Sequence, residues 1–365
     1  MSNISINTSF GIIPDGLVEK ARITFDLYSM FATGKLVVND MTKSYFNKIK
    51  TGLSVDITLN GNLIPMRILS FDKVPSNNAV DVISADLISD WYFDSVISNV
   101  AYQGKISEIY TRIFGAFFKK INKLDISASD DYSRIRYQLG ENTANFMQRI
   151  MKYGIKGNLP MYLYTDTAGY IKYKGINEFL SEKPLTLVTP YLSERLDSVP
   201  ASLKSLPTIL LSNYKLISEG INMNSNTTTI FTTANFKTIA QAASGISLVN
   251  AEAQNDQSEV YTPTLQKFTN WNLTPDDALA ISVKEDFEKS VSSYYLQGIA
   301  EGFHTSSLNI GKKVQLILPY EPVQSRKAGS TINLGEGEYI VKKVEFLIAD
   351  QIEKTRVQLI QATTH

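Results

Sequence analysis

A hairpin signal in the first third of the chain places the strongest constraint on its fold. Apolar and polar residues alternate almost perfectly over residues 53–59, and the dipeptide Asn60-Gly61 follows at once. Alternation with a period of two is typical of a strand with one buried face, and Asn-Gly is preferred in tight hairpin turns. A second apolar stretch, residues 64–71, supplies the partner. The sequence therefore predicts an antiparallel hairpin here.

Other alternating segments surround this hairpin. They cover residues 21–28, 35–38 and 80–87, and turn residues at 76–78 precede the last of them. Several short antiparallel strands joined by turns are typical of a small barrel or sandwich. We therefore predict an N-terminal β-domain over residues 1–98.

The middle of the sequence changes to a helical periodicity. Apolar residues recur on one helical face between residues 106 and 121, and a second helix is predicted from about residue 142 to residue 153. A tyrosine-rich hairpin follows, with strands at residues 159–164 and 170–173. We predict that residues 99–200 form an α+β domain.

The remaining sequence combines irregular segments with a second β-rich region. Residues 181–207 carry four prolines and no clear period, which predicts a linker. The composition then shifts toward Asn, Thr, Ser, Ala and Gln, and we interpret residues 226–279 as an insertion. It would interrupt a second β-domain made of residues 201–225 and 280–365. That domain is predicted to contain a helix over residues 284–304 and strands over residues 208–216, 311–319, 339–346 and 355–360.

Together these features predict a β-rich α+β fold, with two antiparallel β-barrel domains, an intervening α+β domain and an insertion. The composition agrees with a globular protein, since 43% of the residues are hydrophobic and 20% are charged. A disordered chain would have fewer apolar residues.

The charge balance and the lack of cysteine exclude several functional classes. The 36 basic residues equal the 36 acidic ones, whereas proteins that grip phosphates normally carry a basic excess, so we expect no sequence-specific nucleic-acid partner. Without cysteine there are no disulfides, zinc–thiolate sites or cysteine nucleophiles. No signal-peptide pattern and no apolar stretch of about 20 residues is present, so we expect assembly in the cytoplasm without stable membrane insertion.

Few residues qualify for catalysis. His304 lies near the end of a predicted helix, where it suits the helix dipole, and the other histidine is residue 365. Adjacent acids rarely approach one substrate from two sides, and several of them suit the first turn of a helix. We therefore predict no catalytic, cofactor or metal site. The acidic pairs considered are Asp130-Asp131, Asp276-Asp277 and Glu285-Asp286.

The tyrosines of the middle hairpin leave a binding role open. Such side chains can stack on sugars or bases. Aromatic pairing across the two strands is the simpler expectation. The four tyrosines are Tyr162, Tyr164, Tyr170 and Tyr173.

One segment carries a family resemblance. Residues 132–150 read YSRIRYQLGENTANFMQRI, which looks like the segment RxxYQ…E…F(L/M)xRI of the central baseplate hub proteins of contractile phage tails. That family includes the myophage hub, the late-control D proteins and the N-terminal hub region of VgrG spikes. The tyrosine-rich hairpin and the closing strands after residue 337 are also similar to the family pattern.

The resemblance implies a structural, non-enzymatic subunit. It implies a homotrimer whose two tube-like β-domains per subunit form a pseudo-sixfold ring, which joins a hexameric tail tube to a threefold spike and lines the channel. The implied partners are a spike or OB-fold cap protein, tail tube or tube-initiator ring proteins, and the tape-measure protein. The expected location is the baseplate of a virion tail. The alternatives are a tail-tip hub module of a siphophage and, in a different class, a tail-associated peptidoglycan hydrolase or glycan-binding module.

We expect the subunit interface at the closing strands, residues 339–346 and 355–360. These strands carry more apolar residues than one sheet face needs, and neighbouring subunits that continue one sheet would satisfy its edge groups. The residues predicted for this interface are Tyr339, Val341, Val344, Phe346, Val357 and Leu359.

Overall fold

The structure is a computed structural model, and not every part of the chain is described. The described residues are 4–41, 44–45, 47–74, 80–118, 123–188, 208–210, 212–218, 275–292, 294–317, 337–349 and 352–361. The predicted turn at 76–78, most of the predicted linker and the predicted insertion up to residue 274 lie outside them.

The described residues before Asp90 form mostly antiparallel strands, and the predicted hairpin is confirmed. Its strands pair with Leu59 opposite Asn62, and Asn60 and Gly61 between them have positive φ values of 48° and 81°. Two positive φ values in a two-residue loop match the twist of the flanking strands. The strands are β1 (Ile4–Thr8), β2 (Gly11–Ile13), β3 (Val18–Asp26), β4 (Thr33–Asp40), β5 (Ser54–Leu59), β6 (Asn62–Val74) and β7 (Asp81–Ser89).

The middle of the chain has a core of its own, in which both predicted helices lie. Trp91 packs there against Phe114 and Phe118, at centroid distances of 5.8 Å and 5.4 Å. The Asn142 side chain accepts a hydrogen bond from the backbone N–H of Asn145 and so begins the second helix. The elements are β8 (Ile97–Gly104), α1 (Ile106–Phe117), β9 (Leu124–Ile126), β10 (Arg134–Asn142), α2 (Thr143–Ile150), β11 (Ile155–Lys156), β12 (Leu159–Thr165), β13 (Ile171–Gly175) and α3 (Ile176–Leu180).

The C-terminal region differs from its prediction in three places, and the first is that its helix begins at Pro275, nine residues earlier than predicted. The predicted helix over residues 284–304 is wrong in its second half, because residues 294–301 form a strand with Leu296 and Ala300 buried on one face. The predicted linker begins with a strand at residues 185–188. The elements are β14 (Leu185–Val188), β15 (Thr208–Leu210), β16 (Ser212–Ser218), α4 (Pro275–Ser292), β17 (Tyr294–Glu301), β18 (Lys313–Ile317), β19 (Gly337–Ala349) and β20 (Ile352–Gln361).

The two β-rich regions belong to one curled sheet. Strands β3 and β19 pair antiparallel from Lys343 opposite Asp26 to Ala349 opposite Lys20, which joins the N-terminal strands to the C-terminal ones. Phe25 of β3 and Phe346 of β19 meet edge to face across this seam, 6.0 Å apart. One large apolar core therefore continues through both regions. The predicted β-rich α+β fold class is confirmed, whereas the exact domain boundaries stay a prediction.

Candidate assembly surfaces

The six residues predicted for the subunit interface lie inside the core of the chain itself. Each of Tyr339, Val341, Val344, Phe346, Val357 and Leu359 is at most 2% exposed. Strand β19 pairs with β20 along one edge and with β18 and β3 along the other, while β20 pairs with β19 and β17. The prediction assumed surplus apolar surface and open edges in these strands, and the structure corrects both assumptions. A subunit contact would need other parts of the surface.

The segment that carries the family resemblance builds a two-stranded ribbon from β8 and β10 and fastens it to helix α4. Arg136 of β10 forms a bidentate ion pair with Asp277, with 2.9 Å between Nη1 and Oδ2. Its guanidinium also lies 4.1 Å from the ring centroid of Tyr153. Arg134 Nη2 lies 2.6 Å from Asp276 Oδ2. Both acids are in the first turn of α4, as predicted, and they also bind the ribbon.

The same segment shapes the ribbon at its far end. The buried Gln138 side chain donates from Nε2 to the carbonyl oxygen of Glu141, at 2.9 Å, across a bulge where Gly140 has a φ of 65°. Arg149 of α2 pairs with the Glu141 carboxylate and donates to the carbonyl oxygen of Tyr137 at 2.6 Å. These contacts hold β10 on α2 and explain the spacing of Gln, Glu and Arg in the motif.

The outward side of the ribbon is apolar and exposed. Ile135, Tyr137 and Leu139 are 51%, 53% and 70% exposed, while the residues between them turn toward the protein. Ile97 of β8 is 75% exposed. The usual pattern is therefore reversed in β10, with charged and amide side chains inward and apolar ones outward. An apolar surface of this kind marks an interaction site more often than isolated exposed residues do. Sequence reasoning did not identify it, although the alternation of residues 134–139 was visible.

Three parts of the chain meet at the loop between β17 and β18. The side-chain amide of Asn60, at the tip of the β5–β6 hairpin, donates to the carbonyl oxygen of Phe303 at 2.6 Å. Thr167, in the turn between β12 and β13, donates its hydroxyl to the carbonyl oxygen of Thr305. The backbone N–H of Thr167 donates to Asn309 Oδ1 at 3.0 Å. This junction sets the middle domain against both β-rich regions.

The residues considered for catalysis have structural contacts. His304 lies in the loop after β17, with Nε2 2.8 Å from the carbonyl oxygen of Glu301, so the predicted position at a helix end is wrong. Asp131 Oδ2 accepts a hydrogen bond from the backbone N–H of Ile106, at 2.9 Å, at the start of α1. Burial raises the pKa of Asp131. Glu285 lies in the third turn of α4, so its predicted place in a first turn is also wrong.

Three of the four hairpin tyrosines are interior. Tyr162, Tyr164 and Tyr173 are at most 1% exposed, and burial raises the pKa of each well above its ordinary value. Only Tyr170, at 41% exposure, lies at the surface among the four. The register places Tyr173 opposite Leu163, so aromatic pairing across the hairpin is wrong. Of the four rings, only that of Tyr170 is therefore accessible for stacking on a sugar or a base.

Helix α4 also brings a buried lysine against the hairpin. Lys284 Nζ lies 4.7 Å from the ring centroid of Tyr162 and 3.9 Å from Glu288 Oε1. Tyr162 donates its hydroxyl to the same carboxylate at 3.2 Å. Burial lowers the pKa of Lys284 to about 8. Sequence reasoning missed this residue, although Ile281, Lys284 and Glu288 share one helical face at spacings of three and four.

Two classes of site receive no support in the part of the chain that the structure describes. No group of three or more His, Cys, Asp or Glu residues is placed to hold a metal ion there. None of the helices in the described ranges has the length and apolar character needed to cross a bilayer.

Comparisons with known proteins show the fold. No protein-family model and no curated protein matches the sequence. The structure resembles the prophage MuSo2 43 kDa tail protein of Shewanella oneidensis, with a TM-score of 0.60, 14% identity, and coverage of 99% of this chain and 97% of that one. It resembles a tail protein of Neisseria meningitidis MC58 with a TM-score of 0.56, 11% identity and coverage of 98% and 96%.

A third similar structure is the Escherichia coli c3393 protein, a component of the type VI secretion system with structural similarity to T4 tail proteins. Its TM-score is 0.52 at 11% identity, over 95% of this chain and 74% of that one. The chain therefore has the fold of proteins from phage tails and from a secretion machine.

Proposed function

We propose that the chain is a structural subunit of a phage tail or a related contractile injection machine. In this proposal it is the central baseplate hub, a homotrimer that joins the hexameric tail tube to the threefold spike and lines the channel. The observation that carries the proposal is the similarity of fold to two tail proteins over nearly the full length of both chains.

The seam between β3 and β19 supports the ring architecture. It lets two β-rich regions of one chain continue a single sheet. A ring of three chains would repeat a junction of this kind between subunits. Among the described strands, β2 pairs only with β1, and its Ile12 is 64% exposed. We therefore place the proposed subunit contact at this outer edge, where unpaired backbone groups favour strand addition, rather than at the closing strands.

The proposed partners follow from the same role. They are tail tube or tube-initiator ring proteins on one side, a spike or OB-fold cap protein on the other, and the tape-measure protein in the channel. The proposed location is the baseplate of a virion tail.

Cryo-electron microscopy of the assembled particle tests the proposal. The expected result is three copies of the chain at the tail axis, between the tube and the spike. Six copies at the periphery of the baseplate would contradict it. A zymogram on cell walls tests the non-enzymatic role separately, and we expect no clearing by the purified chain.

A further inference from the structure

Helix α4 lies against the chain without joining either apolar core. It packs on β12, β17 and β20 and on the turn at Met151–Tyr153. Its buried residues are Asp277, Ala278, Ala280, Ile281 and Lys284. Among the residues of α4 that the structure describes, only Phe287 packs against one of the two cores, and it is partly buried. The helix therefore gains less from apolar burial than α1, whose inner face forms part of the middle core.

A buried lysine opposes the docking of α4. The Nζ of Lys284 lies over the Tyr162 ring and 3.9 Å from Glu288 Oε1. Burial lowers the pKa of Lys284 to about 8, from an ordinary value of 10.5. Since each pKa unit is a factor of ten in an equilibrium constant, the buried charge shifts the equilibrium toward release of α4 by up to roughly 300-fold at pH 7.

The contacts that oppose this release are charged and lie at the first turn of α4. Asp277 forms its bidentate pair with Arg136, and Asp276 pairs with Arg134. The guanidinium of Arg136 also lies on the Tyr153 ring. Two neighbouring guanidinium groups match two adjacent carboxylates in charge and geometry. We call Arg134, Arg136 and Tyr153 the arginine site.

The arginine site has further capacity for an acidic ligand. The buried Nε–H groups of Arg134 and Arg136 have no hydrogen-bond acceptor in the part of the chain that the structure describes. Lys152 adds a third positive charge, with its Nζ 5.1 Å from the centroid of the Tyr153 ring. Three positive charges that the chain itself fills with two carboxylates suit an acidic protein segment.

The ribbon that carries the arginine site is held independently of α4. Tyr102 of β8 stacks on Phe146 of α2, 5.3 Å between centroids, and Arg149 of α2 pairs with Glu141 of β10. Release of α4 breaks no strand pairing among the described strands and removes only Phe287 from the border of a core. We infer that α4 is a releasable cover of the arginine site, and that the open site binds an acidic segment of a partner protein.

The release of α4 is a change within one chain, so it neither requires nor excludes a threefold hub. It leaves the outer edge at β2 untouched. Local exchange and peptide binding do not depend on the number of copies in a particle. Their failure would therefore leave the hub proposal standing, and a particle of different symmetry would leave the release of α4 standing.

Hydrogen exchange of the full-length chain at pH 7, followed by mass spectrometry, tests the release. We expect the amides of residues 280–287 to be at least tenfold less protected than those of α1, because release needs only a local opening. Low concentrations of urea should reduce the protection of α1 more steeply than that of α4, because local release exposes less surface than global unfolding. Equal protection of the two helices, or an equal dependence on urea, would overturn the inference.

Substitution of the buried lysine tests what favours the release. Lys284→Met should raise the protection of α4 at least tenfold, because the docked helix then buries no charge at this position. Lys73→Met is the matched control, since Lys73 Nζ also lies over an aromatic ring, 4.9 Å from the centroid of Phe71, but in β6. It should leave the protection of α4 unchanged. Equal effects of the two substitutions would overturn the inference.

A labelled peptide with the sequence of residues 275–292 tests the arginine site from outside the chain. The full-length Asp276→Asn/Asp277→Asn variant lacks the acids of its own helix. It should bind this peptide at least tenfold more tightly than a peptide with both acids changed to asparagine. Adding Arg136→Ala should remove the preference, whereas Arg22→Ala, at an exposed position of β3, should keep it. The protection of α1 checks that each variant is folded, and equal binding of the two peptides would overturn the inference.

Discussion

The ion pair between Arg136 and Asp277 should contribute more to stability than its neighbour between Arg134 and Asp276. Both pairs join β10 to the first turn of α4. The Arg136 and Asp277 side chains are each 11% exposed, whereas those of Arg134 and Asp276 are 37% and 38% exposed. Exposed pairs typically contribute about 0.2–1 kcal/mol. Removing one partner of a fully buried pair costs about 3–5 kcal/mol.

The Arg136–Asp277 pair, which we call the inner pair, is largely but not fully buried, so the loss of stability on removing one partner should lie between these limits. We expect Arg136→Ala to lower the free energy of unfolding by about 2–3 kcal/mol, since the bidentate partner of a largely buried carboxylate is removed. The loss includes about 0.5–1 kcal/mol from the contact of the guanidinium with the Tyr153 ring. Asp277→Ala keeps the contact of the guanidinium with the Tyr153 ring, so it should lower the free energy of unfolding by about 0.5–1 kcal/mol less than Arg136→Ala does. In a double-mutant cycle the coupling energy should be about 2 kcal/mol for this pair and below about 1 kcal/mol for Arg134 and Asp276.

Urea unfolding followed by tryptophan fluorescence provides the assay. Trp91, one of the two tryptophans of the chain, is buried in the middle core, so its contribution to the emission reports on the domain that carries the ribbon. The m value must be the same in all variants for the free energies to be compared. The coupling of the inner pair should change little between low and high salt, because solvent screens buried pairs less. A coupling below about 0.5 kcal/mol for the inner pair, or equal couplings for both pairs, would refute the reasoning.

Three further predictions concern single residues. Lys284→Met should stabilise the chain at pH 7 by up to about 3 kcal/mol, because a lysine whose pKa falls to about 8 on folding destabilises the native state most below pH 8. The stability gained by the variant over the wild type should shrink between pH 8 and 10 in urea titrations, because Lys284 of the wild type loses its proton in the native state over that range; a difference that does not change with pH would contradict the assignment. Gly311→Ala should lower the melting temperature more than Gly302→Ala. Both glycines have φ near 75–79°, but only a Cβ added at residue 311 would meet the Phe179 ring, at 2.5–2.9 Å. Equal shifts in melting temperature would show that the ring moves aside. Thr167→Val should lower the free energy of unfolding by about 1–2 kcal/mol. The substitution keeps the side-chain volume but removes the buried hydrogen bond from the Thr167 hydroxyl to the β17–β18 loop. An unchanged midpoint of chemical denaturation would argue against the junction.

Local signals in the sequence were enough for much of the fold. The β5–β6 hairpin follows from strict alternation around Asn60-Gly61, because both the period and the turn depend on neighbouring residues. Helix α2 follows from apolar residues at helical spacing, and the structure adds that Asn142 is its N-cap. The β-rich α+β class and the position of the middle helices were therefore predictable.

The strand at residues 294–301 shows where local signals fail. Its apolar residues fit a helical stripe as well as an alternating strand, and the sequence alone predicted a helix. Pairing with strand β20 makes this segment a strand, because Tyr295 to Glu301 pair with Ile360 to Lys354. Pairing partners about sixty residues away outweigh the weak intrinsic preference of a short segment.

The surfaces available for assembly were decided by tertiary structure. Apolar alternation in β19 and β20 predicted residues such as Val344 and Leu359 for an interface, but a strand that packs in its own core shows the same pattern. In β10 the pattern is reversed, because Arg136 turns inward to Asp277 on a helix more than 130 residues later and leaves Tyr137 outward. Periodicity shows that a strand has two unlike faces. Which of them meets solvent depends on distant charges and strands that are brought together only when the chain folds.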